Sequence, residues 1–119
     1  MQPDAKKLLY DVLRASEDID QFIAEKEYAD FLNDPLLQAG VERKFEIIGE
    51  AVSKLSRVEP DVAARLPERA RIVGFRNVLI HAYEGVDPAI VWDVARNKLP
   101  QLRAVVREAL EAGESSGGL

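Results

Sequence analysis

Apolar residues recur at intervals of three and four along nearly the whole chain, and alternation of period two is almost absent. That pattern restricts the chain to a helical fold. Leu8, Leu9, Val12, Leu13, Ile19, Phe22 and Ile23 mark one amphipathic helix over roughly residues 4–26. Asn33-Asp34-Pro35 reads as a helix start, with a capping side chain followed by proline in the first turn. Leu36, Leu37, Val41, Phe45, Ile48, Val52 and Leu55 carry a second long helix to about Ser56. Pro60 and Pro67 bracket a short helical turn, and a third helix runs from about Glu68 to His81 or Tyr83. Gly85 suits the left-handed residue that commonly follows a helix. Asp87-Pro88 caps and begins a fourth helix containing Ile90, Val91, Val94, Leu99, Leu102, Val105 and Val106. Pro100 interrupts it, predicting a kink or two abutting pieces.

The predicted fold class is therefore all-α, an up-and-down bundle of four to five helices. The 119 residues suit a single domain over 1–112, with the tail GESSGGL (113–119) expected to be disordered. No internal repeat or domain-separating linker is visible. A bundle this small leaves aliphatic side chains at its surface, and a second copy would bury them, so a homodimer is expected.

Composition narrows the chemistry. The chain is 47% hydrophobic and 31% charged, which fits neither a disordered chain nor a membrane protein. No apolar run approaches the roughly 18 residues of a membrane span. The N-terminal MQPDAKKLLYDVLRASEDIDQF lacks the basic-then-apolar order of a signal peptide, so a cytoplasmic location is expected. The absence of cysteine removes disulfides, thiolate metal sites and cysteine nucleophiles, and with a single histidine no metal site is expected. Net charge is −5, an unfavourable balance for an RNA-binding protein. The deficit is local: residues 1–34 hold nine acidic and four basic side chains, and residues 35–119 hold twelve of each. Between Arg65 and Arg76 stand four arginines (Arg65, Arg69, Arg71, Arg76) against one acid, Glu68. Such a cluster reads as a solvated helix face or as a phosphate-contacting patch beside an acidic body.

The unusual stretch is Gly74-Phe75-Arg76-Asn77-Val78-Leu79-Ile80-His81-Ala82-Tyr83, which gathers an arginine, an amide, the single histidine and a tyrosine at the end of a helix. Asn77 and His81 are four apart, hence neighbours on one face, where the amide could orient the imidazole. Arg76 and His81 are five apart, about 7.5 Å along an ideal axis and pointing in different directions. Either the helix loosens near His81, or a two-fold axis brings two copies of the pair to one cleft; the expected homodimer favours the second. Histidine is suited to proton transfer near neutral pH, and arginine to charge on a phosphate. RNA carries its own nucleophile, the 2′-hydroxyl, so a base and a cation suffice to cut it without a cofactor, leaving 2′,3′-cyclic phosphate and 5′-hydroxyl ends. Taken singly the residues have plainer readings. His81 would be a helix cap or surface residue, Arg76 a surface charge, and Tyr83 a core aromatic with its hydroxyl at the rim.

The order Arg, four residues, His, one residue, Tyr in RNVLIHAY resembles the signature of HEPN-domain proteins, specifically the HepT-like branch. Ile48-Gly49-Glu50-Ala51 is similar to that branch's GEA stretch on the second helix. GFRNVLIHAYEGVD followed by Val91-Trp92 is similar to its core motif and the start of its last long helix. The resemblance spans roughly residues 5–110. It implies a dimerising helical bundle in which the motifs of both subunits form one ribonuclease cleft, with Arg76 and His81 catalytic and Asn77 supporting them. It implies the toxin half of a toxin–antitoxin pair, with RNA as substrate. The partner would be an MntA-type nucleotidyltransferase antitoxin that transfers AMP from ATP to Tyr83. One departure is Glu68-Arg69-Ala70-Arg71, where relatives carry a tryptophan just before the motif helix. Glu50 either faces the cleft, lies solvated on its helix, or pairs with a nearby arginine. Two other readings of the chain are a non-catalytic module that binds a nucleotide or a partner, which the acidic balance favours, and a purely structural dimerisation domain.

Overall fold

A computed structural model describes the backbone of residues 1–81 and 86–117, and the side chains of 1–79 and 86–113. The described residues are all-helical, as the apolar spacing predicts. The helices are α1 (Pro3–Ile23), α2 (Tyr28–Leu32), α3 (Pro35–Val58), α4 (Pro60–Ala63), α5 (Arg69–His81), α6 (Pro88–Asp93) and α7 (Leu99–Gly117), with a π-helical turn, Val94–Lys98, joining the last two. The expected tail, 113–119, falls largely outside the described side chains, and Gly85 lies outside the described residues.

Local chemistry sets the helix starts. The Asp34 carboxylate accepts from Leu37 N–H at 3.0 Å, and the Asp87 carboxylate accepts from Ala89 N–H at 2.9 Å. Each satisfies a donor that the first turn cannot pair internally, and the following proline has no N–H to lose. The five-residue α2 escapes a periodicity argument because it is barely longer than one turn. Its signature is local, the Asp30 carboxylate accepting from Glu27 N–H at 2.8 Å. The break expected at Pro100 takes the form of the π turn before it. Leu99 N–H reaches back to the Val94 carbonyl, a wider i→i−5 step. Pro100 has no N–H for the carbonyl four residues back and its ring crowds that group, so the widened turn removes the conflict.

The long helices pack side by side in the spatial order α7, α1, α3, α5. α1 and α3 are antiparallel: Leu8 and Asp11 share a groove with Ile47 and Lys54, and farther along Phe22 meets Gly40. α7 is tied to α1 by Arg103, which donates to the carbonyl and hydroxyl of buried Ser16, both at 3.2 Å, and to Asp20 at 3.4 Å. The core between them holds Leu9, Val12, Ile19, Phe45, Ile48, Val52, Leu55, Leu102 and Val106, all fully buried. Each large aliphatic or aromatic side chain contributes about 1.5–3 kcal/mol. The π turn aims Arg96 at the end of α1, where it donates to the Ile23 and Lys26 carbonyls and lies 4.9 Å above the Trp92 ring. Trp92 in turn packs on Phe31 at 5.4 Å, which fastens α6 to α2.

α5 sits at the edge of this array and packs chiefly on α3. Ile72 and Phe75 point inward, and the Phe75 ring meets Phe45 edge-on at 5.4 Å. The flank turned away from α3 carries Val78, which is 46% exposed, and Gly74, where an added Cβ would meet only open space.

Candidate active site

Arg76, Asn77 and His81 lie on α5, and α3 supplies the wall behind Arg76. Gly49 of α3 touches α5 so closely that a Cβ there would stand 2.4 Å from Arg76 Cβ and 3.1 Å from the Ile72 carbonyl oxygen. Glycine lets the two backbones approach and fixes where the arginine stem leaves its helix. Gly49 is the residue that reasoning from spacing overlooked. It stood in the GEA stretch, but its partner is decided by a helix crossing that no one-dimensional pattern contains.

Arg76 is half-buried. Its Nη1 donates to the Asn77 side-chain oxygen at 3.1 Å. Its Nε is buried and has no hydrogen-bond partner among the described residues. An orphan donor of this kind costs about 1–3 kcal/mol, so a native protein carries few of them. Asn77 thus braces Arg76, and the role toward His81 expected from its spacing falls on a side chain outside the described residues. His81 closes α5, and its side chain, like all of Tyr83, lies outside the described residues.

Glu50 is turned about 100° from Gly49 on α3. It lines the groove against α1 with Leu8 and Asp11 and pairs with Lys54 at 3.3 Å. It therefore serves as a partner for a nearby cation, a lysine rather than an arginine.

A different acid of α3 shares the face of Gly49. Glu42 precedes it by two turns, within about 20° of the same direction. Burial, reinforced by the Glu46 carboxylate one turn on, pushes the Glu42 carboxyl above the ordinary glutamate range. The folded state thus binds a proton more tightly than the unfolded one. Its contribution to stability is most favourable in acid and declines as pH rises through the folded value. Glu42→Gln is expected to raise stability at neutral pH by roughly 0.5 kcal/mol, the scale of one like-charge pair a turn apart. It should also flatten the decline between mild acid and neutrality. Thermal melts across that range check both.

Comparisons with known proteins identify the family. The model of the family described as "Ribonuclease HepT-like" matches residues 12–109. A protein of Methanocaldococcus jannaschii provisionally named an RNase is 36% identical over 100 residues, covering 84% of this chain and 82% of that one. A protein of Thermococcus cleftensis provisionally named ribonuclease HepT is 37% identical over 107 residues, covering 87% and 93%. A third, from Caldanaerobacter subterraneus and also provisionally named an RNase, is 35% identical over 95 residues, covering 76% and 84%. No solved structure matches. With the motif on α5 and a family match over most of its length, the chain belongs to the HepT-like ribonuclease family.

Proposed function

We propose that the protein is a metal-independent RNA endonuclease, the toxin of a toxin–antitoxin pair, with a cleft shared by two copies. The observation that carries this reading is Arg76. It is held against Gly49 and braced by Asn77, with a buried donor that has no partner among the described residues. A phosphate oxygen is a natural acceptor for such a group. In the reaction the 2′-oxygen attacks phosphorus and the bond to the 5′-oxygen breaks. One His81 imidazole takes the 2′-hydroxyl proton, and the protonated imidazole of the second copy gives a proton to the departing 5′-oxygen. Arg76 stabilises the extra negative charge on the phosphorane. The products are a 2′,3′-cyclic phosphate and a 5′-hydroxyl.

The dimer is supported by the position of α5 at the edge of the array and by its outer face, with Gly74 open and Val78 exposed. An edge helix that leaves an apolar side chain and an open glycine side by side has room for a second neighbour. Val78→Asp is expected to leave the single chain folded, make it monomeric in sedimentation, and reduce RNA cleavage at least 100-fold. A monomeric variant that cleaves at the wild-type rate would refute the shared cleft.

Silencing follows from charge. An MntA-type nucleotidyltransferase would join Tyr83 Oη to the α-phosphorus of ATP, releasing pyrophosphate and the phenol proton. Each AMP adds bulk and negative charge two residues from His81, opposing an incoming phosphate. Intact mass after incubation with the transferase and ATP should rise in steps of one AMP. The Tyr83→Phe variant should not change, and equal labelling of that variant would place the modification elsewhere.

A further inference from the structure

α5 opens among the arginines set apart by the sequence. Elsewhere in the described residues several cations are paired with acids, as in Lys44–Asp18 at 2.9 Å and Arg107–Glu17 at 3.6 Å. Here the pairing is sparse. Arg71 lies 3.9 Å from Glu68, and Arg65 and Arg69 have no hydrogen bond or ion pair among the described residues. Arg69 and Arg71, with Ala64, Leu66, Glu68 and Ala70, border an open depression of about 410 Å³, and Arg65 stands between two of these residues in the chain. The helix itself adds to the positive potential, since Ile72 N–H to the Glu68 carbonyl is its opening bond and the amides of residues 69–71 precede that bond.

The depression is aligned with Arg76. Arg69 and Arg76 are seven residues apart, two turns on nearly the same face and about 10.5 Å along the axis. A strand whose phosphate sits at Arg76 would bring a neighbouring phosphate toward Arg69. The remainder of the molecule discourages RNA, because the whole charge deficit lies in residues 1–34.

We propose that the arginine-rimmed depression at the start of α5 is a subsite for the phosphates of single-stranded RNA flanking the scissile bond. It rests on the ribonuclease reading and extends it from cleavage chemistry to substrate length. The arginines supply sequence-independent affinity, so the enzyme favours an extended strand over a dinucleotide.

The test uses the full chain and a variant with Arg65→Gln, Arg69→Gln and Arg71→Gln, which keeps the long stems. Binding of a 2′-O-methyl 12-mer, which lacks the reacting hydroxyl, is followed by fluorescence anisotropy across salt concentrations. The variant is expected to bind at least tenfold more weakly. Its salt slope should fall by about 2, as three lost phosphate contacts require at roughly 0.7 each. With cleavable RNA, KM for a 12-mer should rise about tenfold while turnover of a dinucleotide is unchanged. Arg57→Gln, whose side chain lies in a groove against α1, should behave as wild type. Equal affinity and salt slope for variant and wild type would overturn the subsite. So would absence of binding by the wild type, or a variant that loses only the binding of a protein partner. If the wild type binds through these arginines but cuts nothing, the subsite stands and the ribonuclease reading falls. If cleavage of the 12-mer survives the triple change with KM unaltered, the reverse holds.

Discussion

Arg76→Met is expected to lower RNA cleavage by about 10²–10³-fold, the usual consequence of removing one preorganised charge-stabilising group. The fold should not suffer. Methionine keeps a flexible stem against Gly49, and the change removes a buried Nε that has no partner among the described residues. Relief of an orphan donor is worth about 1–3 kcal/mol, offset in part by the lost Asn77 contact at about 1 kcal/mol. The melting temperature should therefore hold or rise while activity collapses. Opposite movement of the two quantities separates a residue kept for chemistry from one kept for structure. Parallel loss of both would assign Arg76 to the scaffold.

Gly49→Ala is the second large effect, and two opposing terms decide its sign. Helix propensity alone favours alanine by about 1 kcal/mol in mid-helix. Against this, the new methyl would stand 2.4 Å from Arg76 Cβ, too close for either atom to remain in place. Overpacking of this kind costs about 1–3 kcal/mol, so a net destabilisation of up to about 2 kcal/mol is expected. The same substitution at Gly40, also on α3, meets the Phe22 ring at an ordinary 3.5 Å and should stabilise by about 0.5–1 kcal/mol. The catalytic consequence of Gly49→Ala is larger than the thermodynamic one. The methyl displaces the stem of Arg76, and a shift near 1 Å in a charge-stabilising group costs about 100-fold in rate. Denaturant unfolding of both alanine variants, beside RNA cleavage, checks the prediction. If Gly49→Ala is as stable and active as Gly40→Ala, the wall does not position Arg76.

The helices were legible in the sequence because their signals are local. Asp34-Pro35 and Asp87-Pro88 start α3 and α6 with the caps that their side chains predict. The α3 end at Val58 lies within two residues of its expected place, and the short turn between Pro60 and Pro67 is α4. α2 was not legible, since five residues cannot show a period. Pro100 signalled a disturbance but not its form, because a proline in mid-helix is met by a kink as readily as by a widened turn.

The site was legible as a list of residues and not as an arrangement. Arg76, Asn77 and His81 stand out by type and spacing. Their environment comes from elsewhere: Gly49 is 27 positions from Arg76 and becomes its neighbour only when α5 lies on α3. The contact between Arg76 and the Asn77 amide oxygen was likewise not legible, since it joins residues adjacent in sequence whose side chains leave a helix in different directions. The sequence left Glu50 open between the cleft, solvent and a cation partner, and its azimuth turns it toward α1 and Lys54.

The central claim is an RNA-cutting centre built on Arg76 and His81. Its most direct test is cleavage of total cellular RNA in EDTA by freshly purified protein whose intact mass shows no AMP, beside the His81→Ala and Arg76→Met variants. The account predicts fragments with 2′,3′-cyclic phosphate and 5′-hydroxyl ends from the wild type, and intact RNA from both variants. Wild-type protein that leaves RNA whole, or a His81→Ala variant that cuts as fast as wild type, would contradict it.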